Sequence, residues 1–135
     1  MNTVYWRNKV MDDMYQAASG NEFYIGLSSS TPTAAGANVT EPTGNGYARV
    51  RVASFTQASD GSIENTNAVV FPTSTGTWFP ESRLATHWVM FDGSGANAHL
   101  LSSGTLEEPI GIWKNTTVTI PSGRVVITLT DAESV

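Results

Sequence analysis

The sequence contains no cysteine and only two histidines, and just 14% of its residues are charged. Without cysteine there is no disulfide framework, no thiolate zinc site and no thiol nucleophile. With two histidines and no acidic cluster near them, a histidine-based metal site is poorly supported. We therefore expect neither a cofactor nor a bound metal.

Basic residues and long apolar runs are also scarce. Seven lysine and arginine residues stand against twelve acidic ones, and the net charge of −5 argues against binding to nucleic-acid phosphates. No apolar run approaches the roughly 20 residues that a membrane helix needs. Residues 1–9 lack the basic-then-apolar pattern of a secretion signal. We expect a soluble protein made in a cytoplasm, with no nucleic-acid or membrane partner.

What the sequence does have is an adequate apolar content and many small polar residues. Apolar residues make up 40% of the 135 positions, and there are 14 Ser and 17 Thr residues. This length fits one domain, and the apolar fraction suffices for a hydrophobic core. We expect an N-terminal amphipathic helix or anchor over residues 1–20 and a single β-sandwich domain over residues 21–135.

The first segment carries a helical pattern. Apolar residues recur at every fourth position, namely Trp6, Val10, Met14 and Ala18, with Met11 beside them. This spacing predicts one apolar stripe on a helix from about residue 4 to about residue 18, with Thr3 as a suitable N-cap. Polar residues lie off the stripe, among them Arg7, Asp12, Asp13 and Gln16. A helix this short is not stable alone, so it docks on its own domain or on a neighbour.

After Gly20 the pattern is typical of β-structure. Residues 47–52 alternate and predict a strand with Arg49 and Arg51 facing outwards. Residues 84–91 are bulky and apolar on both faces, which indicates a buried central strand. Seven to nine short strands separated by turn signals indicate a mainly β protein, an antiparallel β-sandwich or jelly-roll-like domain with one short N-terminal α-helix.

Two further segments interrupt this pattern. A polar loop rich in glycine and proline spans residues 28–46, and loops of this length are usually functional or held by a neighbour. A later strand begins at Leu100 and is predicted to end near Leu106. The sequence Glu107-Glu108 before Pro109 indicates a solvated turn there.

The candidate catalytic residues form no recognisable pattern. Ser94 lacks the Gly-x-Ser-x-Gly frame of a nucleophile elbow, and His87 lies inside a predicted strand, leaving His99 as the other candidate base. A glycosidase needs two facing carboxyl groups, and no spacing pairs the candidates Glu81, Asp92, Glu107 and Glu108. We predict that the protein is not an enzyme. A hydrolase acting on cell-wall sugars is a less favoured alternative.

Three aromatic residues beside predicted loops raise the alternative of sugar binding. They are Trp78, Phe79 and Trp113, and sugar-binding modules often present such rings on a β-sandwich. The competing interpretation is that the tryptophans pack in the core or at a subunit interface, where tryptophan is favoured. Trp88, inside the central strand, is assigned to the core.

Several blocks of sequence together resemble a known family. They are residues 23–33, 36–42, 44–50, 65–72 and 87–92. The most distinctive are Gly-Asn-Gly-Tyr-Ala-Arg-Val at 44–50 and the combination of Gly-Leu-Ser with Thr-Pro in the first block. The order is similar to that in small virion proteins of tailed bacteriophages and prophages, which are often labelled tail-fibre-like proteins.

The resemblance implies a non-enzymatic structural component of a virion, either associated with the tail or a fibre or decorating the capsid. The implied partners are other virion proteins of the capsid, neck or tail, in a homo-oligomer for which a trimer fits, assembled in the host bacterial cytoplasm. Contact or anchor residues are expected at Trp6, Met11, Trp78, Phe79 and Trp113. The alternative is a receptor- or carbohydrate-binding module of the virion that recognises a host surface glycan.

Overall fold

The computed structural model describes residues 1–16 and 19–129, in which one helix is followed by short antiparallel strands. Helix α1 spans Val4–Tyr15. The strands are β1 (Tyr24–Ser28), β2 (Val50–Arg51), β3 (Ser62–Glu64), β4 (Val69–Val70), β5 (Ala85–Phe91), β6 (Leu100–Ile110), β7 (Thr119–Ile120) and β8 (Val126–Thr128). The predicted class, mainly β with antiparallel sheets and one short N-terminal helix, is confirmed. The end of the predicted helix at residues 17 and 18 and the acidic C-terminus lie outside the described residues.

Strand β5 lies inside a four-stranded sheet with the order β2-β1-β5-β6. Its Trp88 is opposite Leu27 on β1 and opposite Gly104 on β6. The sheet face with Leu27 and Trp88 belongs to the main hydrophobic core, and Val89 and Phe91 on the other face are also buried. Burial on both faces explains the continuous apolar run and confirms the predicted central strand.

Two two-stranded sheets contribute to the same core. Strand β3 pairs with β8, with Ile63 opposite Ile127, and β4 pairs with β7 in the same antiparallel manner. Both isoleucines are buried, which stabilises the fold by about 1.5–3 kcal/mol for each side chain. Asp60 and Gly61 form the turn before β3, and both residues have the positive φ that a type I′ turn requires.

Strand β2 is shorter than the alternation of residues 47–52 predicts. Only Val50–Arg51 pairs with β1. Tyr47 and Arg49 direct their side chains into a polar cluster, described below, and this cluster takes the place of strand pairing.

Strand β6 is longer than predicted, because it continues past Leu106 to Ile110. The prediction of a solvated turn at Glu107-Glu108 was therefore wrong. Strand β6 is at the edge of its sheet, where proline and charged residues are tolerated because one side of the strand needs no partner. A shift of register between Ala85 and His87 on β5 accommodates the additional residues.

Candidate functional site

The polar side chains of α1 fasten the helix to residues 55–61. Asn8 and Asp12 each accept a hydrogen bond of 2.7 Å from a backbone N–H in that segment. Gln16, one turn further, donates to a backbone carbonyl there at 2.8 Å. These three side chains are four residues apart and share one helix face, so the polar face of α1 is the face that docks.

Met11 supplies the apolar part of this contact. Its side chain is buried within the main core, and the neighbouring Tyr15 ring packs on Phe23 with centroids 4.8 Å apart. The N-terminus of the helix is closed by Thr3, whose hydroxyl accepts from the N–H of Trp6 at 3.2 Å, as the sequence predicted. Met11 thus anchors α1 to its own chain.

The apolar stripe predicted for α1 faces outwards. Trp6 and Met14 are 51% and 50% exposed, and Val10 between them is half-buried. We call these three residues the Trp6 stripe. The hydrogen bonds to residues 55–61 orient the helix with its polar face inwards, so about half of the stripe's surface stays exposed.

The three expected sugar platforms have different positions. Trp78 and Phe79 are buried in the core, where the indole N–H of Trp78 donates to the carbonyl of Asn45 at 2.8 Å. The Trp78 ring also packs edge-on against Tyr47, with centroids 5.1 Å apart. Neither ring offers a face to a ligand, so these two residues are core residues instead of loop platforms. Trp113 is 48% exposed.

A polar cluster of Glu41, Tyr47 and Arg49, which we call the Glu41 latch, holds the 28–46 loop against the sheet. Arg49 donates two hydrogen bonds to the Glu41 carboxylate, at 2.7 and 3.0 Å. The two side chains are only 11% and 18% exposed. The prediction that Arg49 faces solvent was therefore wrong, because the loop brings a carboxylate over it.

Arg49 also connects the latch to the turn between β5 and β6. Its Nη1 donates to the carbonyls of Gly93 and Gly95 at 3.2 and 2.8 Å. Its guanidinium lies 3.5 Å from the centroid of the Phe91 ring, within range of a cation–π contact. The hydrogen bonds to Glu41 raise the pKa of Arg49 further. One cation thus joins the long loop, the central strand and the next turn.

Tyr47 completes the latch at the edge of β1. Its hydroxyl accepts a hydrogen bond from the N–H of Leu27 at 3.1 Å and donates to Glu41. Since β2 pairs only with the first two residues of β1, the hydroxyl substitutes for a missing strand at this position. Burial, together with the bond to Glu41, raises the pKa of Tyr47 well above its usual range.

The raised pKa of Tyr47 predicts a loss of stability in alkali. A group whose pKa is higher in the folded state contributes stability below the unfolded value, here about 10, and loses it as the pH rises further. We expect the free energy of unfolding to fall between pH 10 and 11.5, and to fall less in Tyr47→Phe. Urea titrations across this range test the effect, with the exposed Tyr5→Phe as control. Equal slopes in all three proteins would contradict it.

The candidate catalytic groups have separate structural partners. The Asp92 carboxylate accepts from the backbone N–H of His99 at 2.7 Å and lies 3.1 Å from its Nδ1. That backbone hydrogen bond is the main reason that the pKa of Asp92 is lowered. Glu81 and Glu107 each form an ion pair with a nearby arginine, and His87 contacts the hydroxyl of the adjacent threonine. These contacts close a turn and pair surface charges.

Residues 1–16 and 19–129 contain neither a candidate metal site nor a membrane-spanning helix. In this part of the chain no three His, Asp or Glu side chains are grouped so as to hold a metal ion. No helix there has the length and apolarity needed to cross a membrane.

A groove of about 570 Å³ lies between β6 and the β7–β8 turn. One wall is formed by the second half of β6, from Thr105 to Ile110, and the other by β7, β8 and Arg124. Trp88 contributes to its lining from β5. The assignment of Trp88 to the core is correct. Sequence reasoning missed this groove because it placed a turn at Glu107-Glu108, where β6 in fact continues.

Comparison with known proteins gives one family. The sequence profile of the family described as podophage GP4 fiber I protein gp80 matches residues 2–128. The match therefore includes α1, the Glu41 latch and the groove, and it confirms the resemblance to tail-fibre-like phage proteins. No curated protein matches the chain.

Proposed function

The chain belongs to the podophage GP4 fiber I protein gp80 family, and from this premise we propose that it is a fibre subunit that forms homo-oligomers through the Trp6 stripe. Membership in the family makes it a structural component of a phage virion. The proposal places the contact between copies at the Trp6 stripe. It is supported by the exposure of Trp6 and Met14 on a helix that is already held by its opposite face.

The physical basis is that α1 is fixed before any partner arrives. Association costs less free energy when the contact surface is already ordered. Large, partly exposed aromatic side chains are the typical centres of such contacts, and Trp6 has this character. Homo-oligomers are usually closed and symmetric. In the arrangement that we propose, three copies around one axis bring three Trp6 stripes together. We propose a trimer, assembled in the host bacterial cytoplasm and joined in the virion to other tail proteins.

We also propose that the subunit has no enzymatic activity. The residues considered for hydrolysis are engaged in other contacts, since Asp92 caps a turn with His99 and Glu107 pairs with Arg124. A carboxyl that acts as a general acid near neutral pH needs a raised pKa, whereas the pKa of Asp92 is lowered.

Replacing Trp6 and Met14 by serine is expected to dissociate the oligomer. Loss of one central aromatic contact costs about 2 kcal/mol, or roughly thirtyfold in the dissociation constant. Light scattering coupled to gel filtration measures the mass, and circular dichroism verifies that the fold is kept. Trp113→Ser is the matched control, because Trp113 is 48% exposed against 51% for Trp6.

Three results would count against this contact. The structural proposal as a whole is rejected if the wild-type protein is monomeric and does not bind to phage particles from which this protein is missing. If Trp113→Ser dissociates the oligomer and the Trp6/Met14 variant does not, the contact between copies lies at Trp113. An unchanged mass in the Trp6/Met14 variant removes the stripe from the contact.

A second candidate function is recognition of a host surface glycan. With Trp78 and Phe79 buried, the proposed aromatic platforms are reduced to Trp113 among these three residues. The observation that favours glycan recognition is instead the groove beside β6, which has the size of a small-ligand site and a mixed polar and apolar lining.

A further inference from the structure

We propose that the groove between β6 and the β7–β8 turn binds a neutral oligosaccharide, with Trp88 and Glu108 as contact residues. This inference rests on the second candidate function and is independent of the Trp6 stripe. The groove of about 570 Å³ falls within the range of small-molecule sites.

Both walls of the groove combine apolar and polar side chains. Ile110, Ile120 and Val126 supply apolar surface. Hydroxyl groups come from Thr105 on β6 and Thr119 on β7. A sugar ring has the same division, since its C–H faces are apolar and its hydroxyls both donate and accept hydrogen bonds.

Trp88 supplies a donor that the protein itself does not use. The side chain is 3% exposed, yet its indole N–H forms no hydrogen bond within the described part of the chain. Buried tryptophan N–H groups usually have an acceptor. Trp88 nevertheless lines the groove, so a ligand bound there lies beside its ring. A hydroxyl oxygen of a bound sugar satisfies the indole N–H.

Gly104 allows the Trp88 ring to lie against the backbone of β6. It is directly opposite Trp88 on β6, and a β-carbon at Gly104 would overlap the Cε2, Cζ2 and Nε1 atoms of the indole. The ring therefore lies close against the backbone of β6. This packing holds the N–H edge in place before any ligand binds, which lowers the ordering cost of binding.

Strand β6 is at the edge of its sheet, where an extended polypeptide could bind by pairing with it as an additional strand. Exposed edges pair with additional strands unless charges, proline or a bulge prevents it. Beside the groove, β6 has all three, namely Glu107 with Glu108, Pro109, and the register shift opposite Ala85 and His87. An extended polypeptide is thus disfavoured, whereas a ligand that binds side chains is not.

Charge along the walls indicates a neutral ligand. Two carboxylates, Glu107 and Glu108, face one cation, Arg124, which is already paired with Glu107 at 3.1 Å. The remaining carboxylate of Glu108 repels anionic sugars and accepts hydrogen bonds from hydroxyls. Charge-assisted hydrogen bonds of this kind are roughly twice as strong as neutral ones.

The test uses an array of neutral and anionic oligosaccharides released from bacterial surface polysaccharides. Wild-type protein is expected to bind neutral members. Glu108→Gln weakens binding by about tenfold through loss of the charge-assisted bond, and Thr119→Trp abolishes it by filling the groove. Glu22→Gln and Thr43→Trp, which lie outside the groove lining and change exposed positions, are the matched controls.

A second readout reports on Trp88 directly. Titration of ¹⁵N-labelled protein with the best-binding oligosaccharide shifts the Trp88 indole N–H resonance, assigned with Trp88→Phe. The proposal is overturned by a failure to bind any neutral oligosaccharide, by exclusive binding of anionic ones, or by equal binding of the groove variants and their controls. Oligomeric mass, measured on the same samples, separates this failure from failure of the Trp6 contact.

Discussion

Glu41→Gln is expected to lower the free energy of unfolding by about 2–4 kcal/mol. The substitution leaves the Arg49 guanidinium, which is 11% exposed, without its countercharge. Breaking a buried ion pair from one side is costly for this reason, and the remaining exposure places the effect below that of a fully buried pair. Urea unfolding followed by circular dichroism measures the change. The 28–46 loop should also become sensitive to limited proteolysis, because the latch holds it to the sheet.

A second glutamate–arginine pair provides the matched control. Glu22 and Arg51 are 3.7 Å apart, and both side chains are more than half exposed. Such surface pairs contribute about 0–1 kcal/mol, so Glu22→Gln should change stability little. If the two variants lose equal stability, the latch does not hold the loop in the manner described.

Trp78→Ala is expected to lower the free energy of unfolding by about 3–5 kcal/mol. The substitution leaves a cavity beside Tyr47 and Phe71. These two rings lie nearly parallel to each other, and each packs edge-on against the Trp78 ring. It also removes the donor from the Asn45 carbonyl. The midpoint of urea unfolding measures this loss.

Trp113→Ala separates burial from residue type. Its ring is 48% exposed, so truncation removes about half as much buried area and should cost about half as much, roughly 1.5–2.5 kcal/mol. A loss for Trp113→Ala as large as that for Trp78→Ala would mean that Trp113 is also structural. A small loss for both would contradict the position of Trp78 in the core.

The sequence predicted those elements whose apolar pattern reflects the environment directly. Strand β5 was identified because it is buried on both faces, and the start of α1 because Thr3 caps it. The 28–46 loop was predicted to be held or functional, and the latch holds it. The sequence did not indicate which residue holds it. Glu41 reaches Arg49 through an irregular segment, and no periodic pattern reports such a contact.

The functional surfaces were only partly predictable, because contacts made through irregular segments leave no periodic pattern in the sequence. Periodicity gave the Trp6 stripe, but it did not tell which face of α1 docks. The deciding hydrogen bonds run to the backbone of residues 55–61, which has no side-chain signature. The four-residue spacing of Asn8, Asp12 and Gln16 was visible and is the signal that a search for polar docking faces would use. The groove needed the true end of β6, which charge and proline concealed.

The attachment of α1 has a mechanical consequence. Its three polar contacts follow the helix axis at intervals of about 6 Å, the rise of four residues. A pull along the axis strains all three hydrogen bonds at once, whereas a pull away from the sheet strains them one after another. When a partner bound to the Trp6 stripe is under load, α1 therefore resists detachment most strongly if the force acts along the helix axis. The tolerated direction of force is thus built into the spacing of three side chains.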